Sequence, residues 1–141
     1  MTAPRKKKRP SPTARILPVC LSEARPGNLG RTICAETITI PEQVRGQDLF
    51  VVRMDDDTLA PGIRRGAYLG LDRADKRVRS GGIYGVLAPL EGLVVKRAVV
   101  DLEARMVVLH DAAKKQPPYR FPLEEFRQRV VGRVVWVFQD F

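Results

Sequence analysis

Apolar residues occur along this chain in short runs separated by segments rich in glycine, proline and charged residues. Runs of this kind that are rich in valine, isoleucine and leucine are typical of β-strands. The pattern predicts a short strand that begins at Leu17, before a loop that reaches Gly30, and strands at 33–40, 49–52, 67–71, 83–89, 93–100, 106–110 and 128–138. Helical signals are restricted to single turns at 41–46 and 123–127. We therefore predict a mainly β, barrel-like fold with little helix.

One polar segment between two predicted strands differs from the other loops. The apolar run at 49–52 is followed by three consecutive carboxylates, Asp55 to Asp57, by Thr58 and by the turn signal Pro61-Gly62. The next predicted strand starts at Ala67. A strand, a short polar elbow and a second strand present the elbow hydroxyl at the rim of a sheet.

A later strand contains a cation in an otherwise apolar run, Leu93-Val94-Val95-Lys96, with Arg97 next. A hydroxyl on an elbow and an amine among valines are the components of a nucleophile–base dyad. The amine acts as a base only in its neutral form, which apolar surroundings favour. Spacing alone favours plainer interpretations: an ordinary turn hydroxyl at Thr58, a solvated acidic loop, and an outward Lys96 on a strand edge.

These residues resemble the C-terminal domain of LexA, UmuD and phage repressors, self-cleaving serine peptidases related to signal peptidases. In that family, the elbow Gly-Asp-Ser-Met-x-Pro-Thr-Ile-x-x-Gly carries the nucleophilic serine, and a Val-Lys-Arg strand carries the lysine base. The resemblance places Thr58 at the serine, Asp57 at the aspartate and Lys96 at the lysine. It extends from about Leu17 to the C-terminus and implies a LexA/signal-peptidase-like fold, with 132–136 in a typical last strand.

The elbow also departs from the family pattern. Asp56 replaces the glycine, Thr58 the serine, Leu59 the methionine and Gly62 the threonine, whereas Pro61 is kept. The threonine methyl group restricts χ1 and crowds the site. A carboxylate of Asp56 or of its neighbour Asp57 close to the lysine would keep the amine protonated. The resemblance thus implies the family fold with self-cleavage weak or lost; the alternative is an active Thr/Lys autopeptidase.

The resemblance further implies an arm, 17–30, that holds the bond to be cut. Its nearest match to the family cleavage site is Ala24-Arg25-Pro26-Gly27, which predicts cleavage between Ala24 and Arg25. Glycine lets the backbone enter a tight active site, so the size and charge of Arg25 oppose the reaction. The expected organisation is a basic disordered tail at 1–16, this arm, and a LexA-like peptidase-fold domain at 31–141.

Basic charge is concentrated at the N-terminus. The formal net charge is +9, and the first fifteen residues hold six basic groups and no acid: Arg5, Lys6, Lys7, Lys8, Arg9 and Arg15. Such a segment has too little apolar surface to order itself. It either contacts nucleic acid nonspecifically, through the phosphates, or is a solvated linker.

The region before Leu17 is too short for the helices of a repressor headpiece. We therefore expect a headless, UmuD-like regulatory protein of the SOS-response or phage-repressor type, associated with transcription regulation. The family associates through its C-terminal domain, so an isologous homodimer through the closing strand, 130–138, is expected.

Membrane, metal and cofactor functions receive no support from the sequence. No apolar run approaches the ~20 residues of a membrane-spanning helix. The basic N-terminus is not followed by the apolar segment of a signal peptide, so a signal peptide is not expected. Cys20, Cys34 and His110 lack the spacing of a zinc site, so neither a metal nor a cofactor is expected. Two spare thiols suit a reduced, cytoplasmic setting.

Overall fold

The computed structural model describes residues 14–20, 34–44 and 46–140. This part of the chain contains nine strands and a single helix, α1, so the predicted mainly β fold with little helix is confirmed. This helix of the described residues is not long and apolar enough to cross a membrane. In chain order the elements are β1 Ala14–Cys20, β2 Cys34–Pro41, β3 Leu49–Arg53, β4 Tyr68–Asp72, β5 Ile83–Ala88, β6 Gly92–Asp101, β7 Met106–His110, β8 Tyr119–Pro122, α1 Leu123–Arg129 and β9 Val130–Phe138.

The strands form one mixed sheet in the order β2-β1-β3-β4-β9-β5-β6-β7-β8. Strands β1 and β3 are parallel, and the other neighbouring strands are antiparallel. The sheet is not closed into a barrel, because its first and last strands, β2 and β8, lie at opposite edges. The barrel-like closure that we expected is thus replaced by an open sheet.

The main differences from the sequence-based prediction concern β1, the turn after β2, and β8. Strand β1 starts at Ala14, so 14–16 belongs to the sheet and not to the tail. In place of a helical turn at 41–46, the described residues form a turn in which the Val44 N–H donates to the Pro41 carbonyl at 3.1 Å. Strand β8 was not predicted, because its four residues follow Pro117 and Pro118, end in Pro122 and pair only with β7 among the described strands.

Two hydrophobic clusters pack on this sheet, and β6 contributes to both. Because side chains alternate between the faces of a strand, Leu93 and Val95 reach the first cluster and Val94 and Ala98 the second. The second cluster also contains Phe126 of α1, whose ring meets the ring of Tyr84 edge-on. The first half of β6, including Lys96, is therefore covered on both faces.

Candidate functional site

The elbow, residues 54–67, connects β3 to β4 and is held at its base by two backbone hydrogen bonds. The Met54 N–H donates to the Ala67 carbonyl, and the Gly66 N–H donates to the Met54 carbonyl, both at 2.8 Å. Leu59 and Ile63 are buried in the first hydrophobic cluster. This anchoring gives Thr58, next to Leu59, a defined position at the rim of the sheet.

Thr58 is half-buried and is oriented by its neighbour Asp56. The backbone N–H and the Oγ1 hydroxyl of Thr58 both donate to Asp56 Oδ1, at 3.1 Å and 2.8 Å. The Thr58 carbonyl accepts a hydrogen bond from the Ala112 N–H at 2.9 Å. This last contact joins the elbow to the segment after β7 and brings Thr58 close to Asp111.

Lys96 lies in the first half of β6, with only 8% of its surface exposed. Its Nζ donates a hydrogen bond to Asp111 Oδ1 at 2.5 Å, and Asp111 is itself only 7% exposed. Lys96 therefore forms a buried ion pair, and its interpretation as an outward residue on a strand edge is wrong.

Asp111 is the site residue that sequence reasoning missed, since it lies just beyond the predicted strand at 106–110. The β6–β7 hairpin pairs Arg97 with His110. Continuing this register by one residue places Asp111 opposite Lys96, where cross-strand side chains are close enough to interact. Both strands were predicted, so the length of the turn between them was the signal that could have identified this pair.

Thr58, Lys96 and Asp111 line a single cleft with a volume of about 790 Å³. One wall comes from the elbow, a second from β6 and the turn before it, and a third from β7 and the segment between β7 and β8. Carboxylates outnumber cations in the lining, which consists of Asp55, Asp56, Thr58, Glu91, Leu93, Val94, Lys96, Leu109, Asp111, Gln116, Pro117, Pro118 and Tyr119.

The other predicted elbow residues have separate roles. Asp57 is exposed and forms an ion pair with Arg65 at 3.4 Å, and Pro61 is exposed and follows a cis peptide bond. Asp56 lines the cleft and bonds to Thr58. In the described part of the chain, the ion-pair partner of Lys96 is thus neither of these carboxylates but Asp111. The expectation that Asp56 or Asp57 supplies the negative charge beside Lys96 is therefore wrong, and Asp111 supplies it.

The candidate scissile pair, Ala24 and Arg25, and the basic tail residues, Arg5 to Arg9, lie outside the described residues. The structure therefore leaves their predicted roles as predictions. Within 14–20, 34–44 and 46–140, no group of three or more His, Cys, Asp or Glu side chains is arranged to hold a metal ion.

The observed hydrogen bonds determine what this site can do chemically. A hydroxyl has one hydrogen to donate. In the described part of the chain, the Thr58 hydroxyl donates its hydrogen to Asp56 and not to Lys96, whose Nζ donates to Asp111.

No model of a known protein family matches the chain, and no curated protein matches its sequence.

Proposed function

We propose that this chain is a LexA/UmuD-like peptidase-fold regulatory module, of the SOS-response or phage-repressor type, in which self-cleavage is weak or lost. The observation that carries the proposal is the buried Lys96–Asp111 ion pair in the cleft that also contains Thr58.

The type of site is supported by the convergence of two distant segments. Thr58 and Lys96 are 38 residues apart in the chain, yet both line the cleft. One is on an elbow between two strands, and the other is in a strand among valines. This is the arrangement that the resemblance to the LexA/UmuD family implies for its nucleophile and base.

The lack of activity is supported by the partners of these two side chains. A general base needs a lone pair within hydrogen-bond reach of the hydroxyl proton. The Lys96 Nζ instead donates a hydrogen bond to Asp111, and the Thr58 hydroxyl donates its hydrogen to the Asp56 carboxylate. The Thr58 methyl group further restricts the rotation that would turn the oxygen towards the amine.

As a regulatory module, the protein would act through binding. We propose that it forms an isologous homodimer through its closing strand and that its basic tail contacts nucleic acid nonspecifically. Five consecutive residues of the tail, Arg5 to Arg9, are cations that can contact phosphates.

The activity is tested by incubating the purified chain at pH 7 and determining the masses of the products by mass spectrometry. We expect the intact chain to persist, because the site lacks an available base. A fragment that begins at Arg25 would contradict the proposal and support the alternative of an active Thr/Lys autopeptidase. In that case, Thr58→Val should abolish the fragment, since valine has the shape of threonine without the hydroxyl.

The choice of variant matters for this test. Lys96→Ala would leave the buried Asp111 carboxylate without its partner, so loss of cleavage could reflect unfolding. Thr58→Val removes only a half-buried hydroxyl that bonds to Asp56. Circular dichroism of this variant should match that of the unmodified protein, which makes the comparison one of chemistry alone.

A further inference from the structure

A second concave surface, the basic groove, shares no lining residue with the cleft. It has a volume of about 550 Å³ and lies between the segment after β4, the end of β6 and helix α1. Its lining consists of Ala74, Lys76, Arg77, Val78, Val100, Leu102, Leu123, Phe126 and Arg127.

The floor of the basic groove is aliphatic. Val78, Val100 and Leu123 line it, and each is only partly buried. Leu102, in the turn after β6, is 82% exposed and is one of the few large apolar side chains with this exposure in the described part of the chain. An exposed aliphatic residue beside a concave apolar floor offers surface that a partner would remove from water.

The charged side chains that line the basic groove are all cations. Arg127 is paired with Glu124 at 3.2 Å. Lys76 and Arg77 are exposed and form no ion pair with any carboxylate in the described residues. Because no acid belongs to the lining and Arg127 is already paired, the unneutralised positive charge of the groove comes from Lys76 and Arg77.

We propose that the basic groove binds an acidic amphipathic segment of a partner protein. Apolar side chains of this segment would cover Leu102 and the aliphatic floor, and its carboxylates would meet Lys76 and Arg77. Single-stranded nucleic acid instead uses exposed aromatic rings for base stacking, and the aromatic residue in this lining, Phe126, is fully buried. A concave surface also suits a narrow inserted segment better than a flat lipid surface.

The test measures fluorescence anisotropy of a labelled synthetic peptide with leucines on one face of a helix and glutamates on the other. We expect saturable binding to the full chain. Arg77→Glu and Leu102→Ser should each weaken binding about tenfold. The first removes a cation that would meet the peptide carboxylates, and the second removes an apolar side chain that the peptide leucines would cover. Both side chains are exposed, so neither substitution should disturb folding.

Matched controls separate the basic groove from the rest of the surface. Lys115→Glu and Leu90→Ser make the same kinds of change at exposed positions outside the groove, and should alter binding by less than about twofold. The basic tail is identical in all variants, so its attraction for the peptide cancels in the comparison. A peptide with glutamine in place of glutamate should bind more weakly.

Three results would overturn the proposal. The first is the absence of saturable peptide binding, and the second is an equal effect of the groove and control variants. The third comes from parallel titrations with duplex DNA and with vesicles that contain anionic phospholipid. If Arg77→Glu reduces binding to DNA or vesicles but leaves peptide binding unchanged, the basic groove serves that other class of partner.

Discussion

Asp111→Ala is expected to lower the free energy of unfolding by about 3–5 kcal/mol, because it leaves the buried Lys96 ammonium without its carboxylate. The side chains of the pair are only 10% and 9% exposed, so water cannot replace the lost partner at little cost. Urea denaturation followed by circular dichroism measures the change. Lys96→Ala should also be strongly destabilising, because it leaves the buried Asp111 carboxylate without its partner.

Two controls distinguish an uncompensated buried charge from a general effect of truncation. The double replacement Lys96→Met with Asp111→Leu removes both charges and keeps the volume, and should cost at least about 2 kcal/mol less than Asp111→Ala. The ion pair between Arg65 and Asp57 is 61% and 64% exposed, so Arg65→Ala should cost at most about 1 kcal/mol. If Asp111→Ala costs no more than Arg65→Ala, the buried ion pair does not exist in solution.

Gly132→Ala is expected to cost about 3 kcal/mol of stability, because the added methyl group would collide with backbone. A Cβ at this position of β9 would lie 2.4 Å from the carbonyl oxygen of Asp72 and 2.7 Å from its carbonyl carbon. Asp72 ends the neighbouring strand β4, and its backbone cannot rotate away as a side chain can. Relief of the collision requires separation of β4 from β9, as urea denaturation would detect.

Other glycines provide the comparison. At Gly62, the nearest atom to an added Cβ is the Leu59 carbonyl oxygen at an ordinary 3.7 Å, so Gly62→Ala should change stability by less than about 1 kcal/mol. At Gly70, an added Cβ would meet the ring of Trp136, a side chain with some freedom to shift, so an intermediate loss is expected. Equal stabilities of Gly132→Ala and Gly62→Ala would show that β4 and β9 do not pack as described.

Local pattern was sufficient to predict most strands and the elbow. Periodicity in a strand is a property of adjacent residues, and turn residues such as Pro61 and Gly62 act on the backbone next to them. The sequence thus indicated an elbow hydroxyl at Thr58 and a lysine within an apolar strand at Lys96. It also indicated the helical turn before the closing strand, which the structure extends to Arg129.

The tertiary structure decided the partners of these residues and the shape of the sheet, which the strand pattern by itself did not. The pairing of Lys96 with Asp111 depends on hairpin register, since a shift of one residue moves a side chain to the opposite face. The open sheet depends on which strand edges meet, and β8 becomes a strand because β7 supplies its hydrogen bonds. The basic groove assembles residues from three separate segments. Each of these features arises from pairing and packing between separate elements, which the periodicity within one element does not encode.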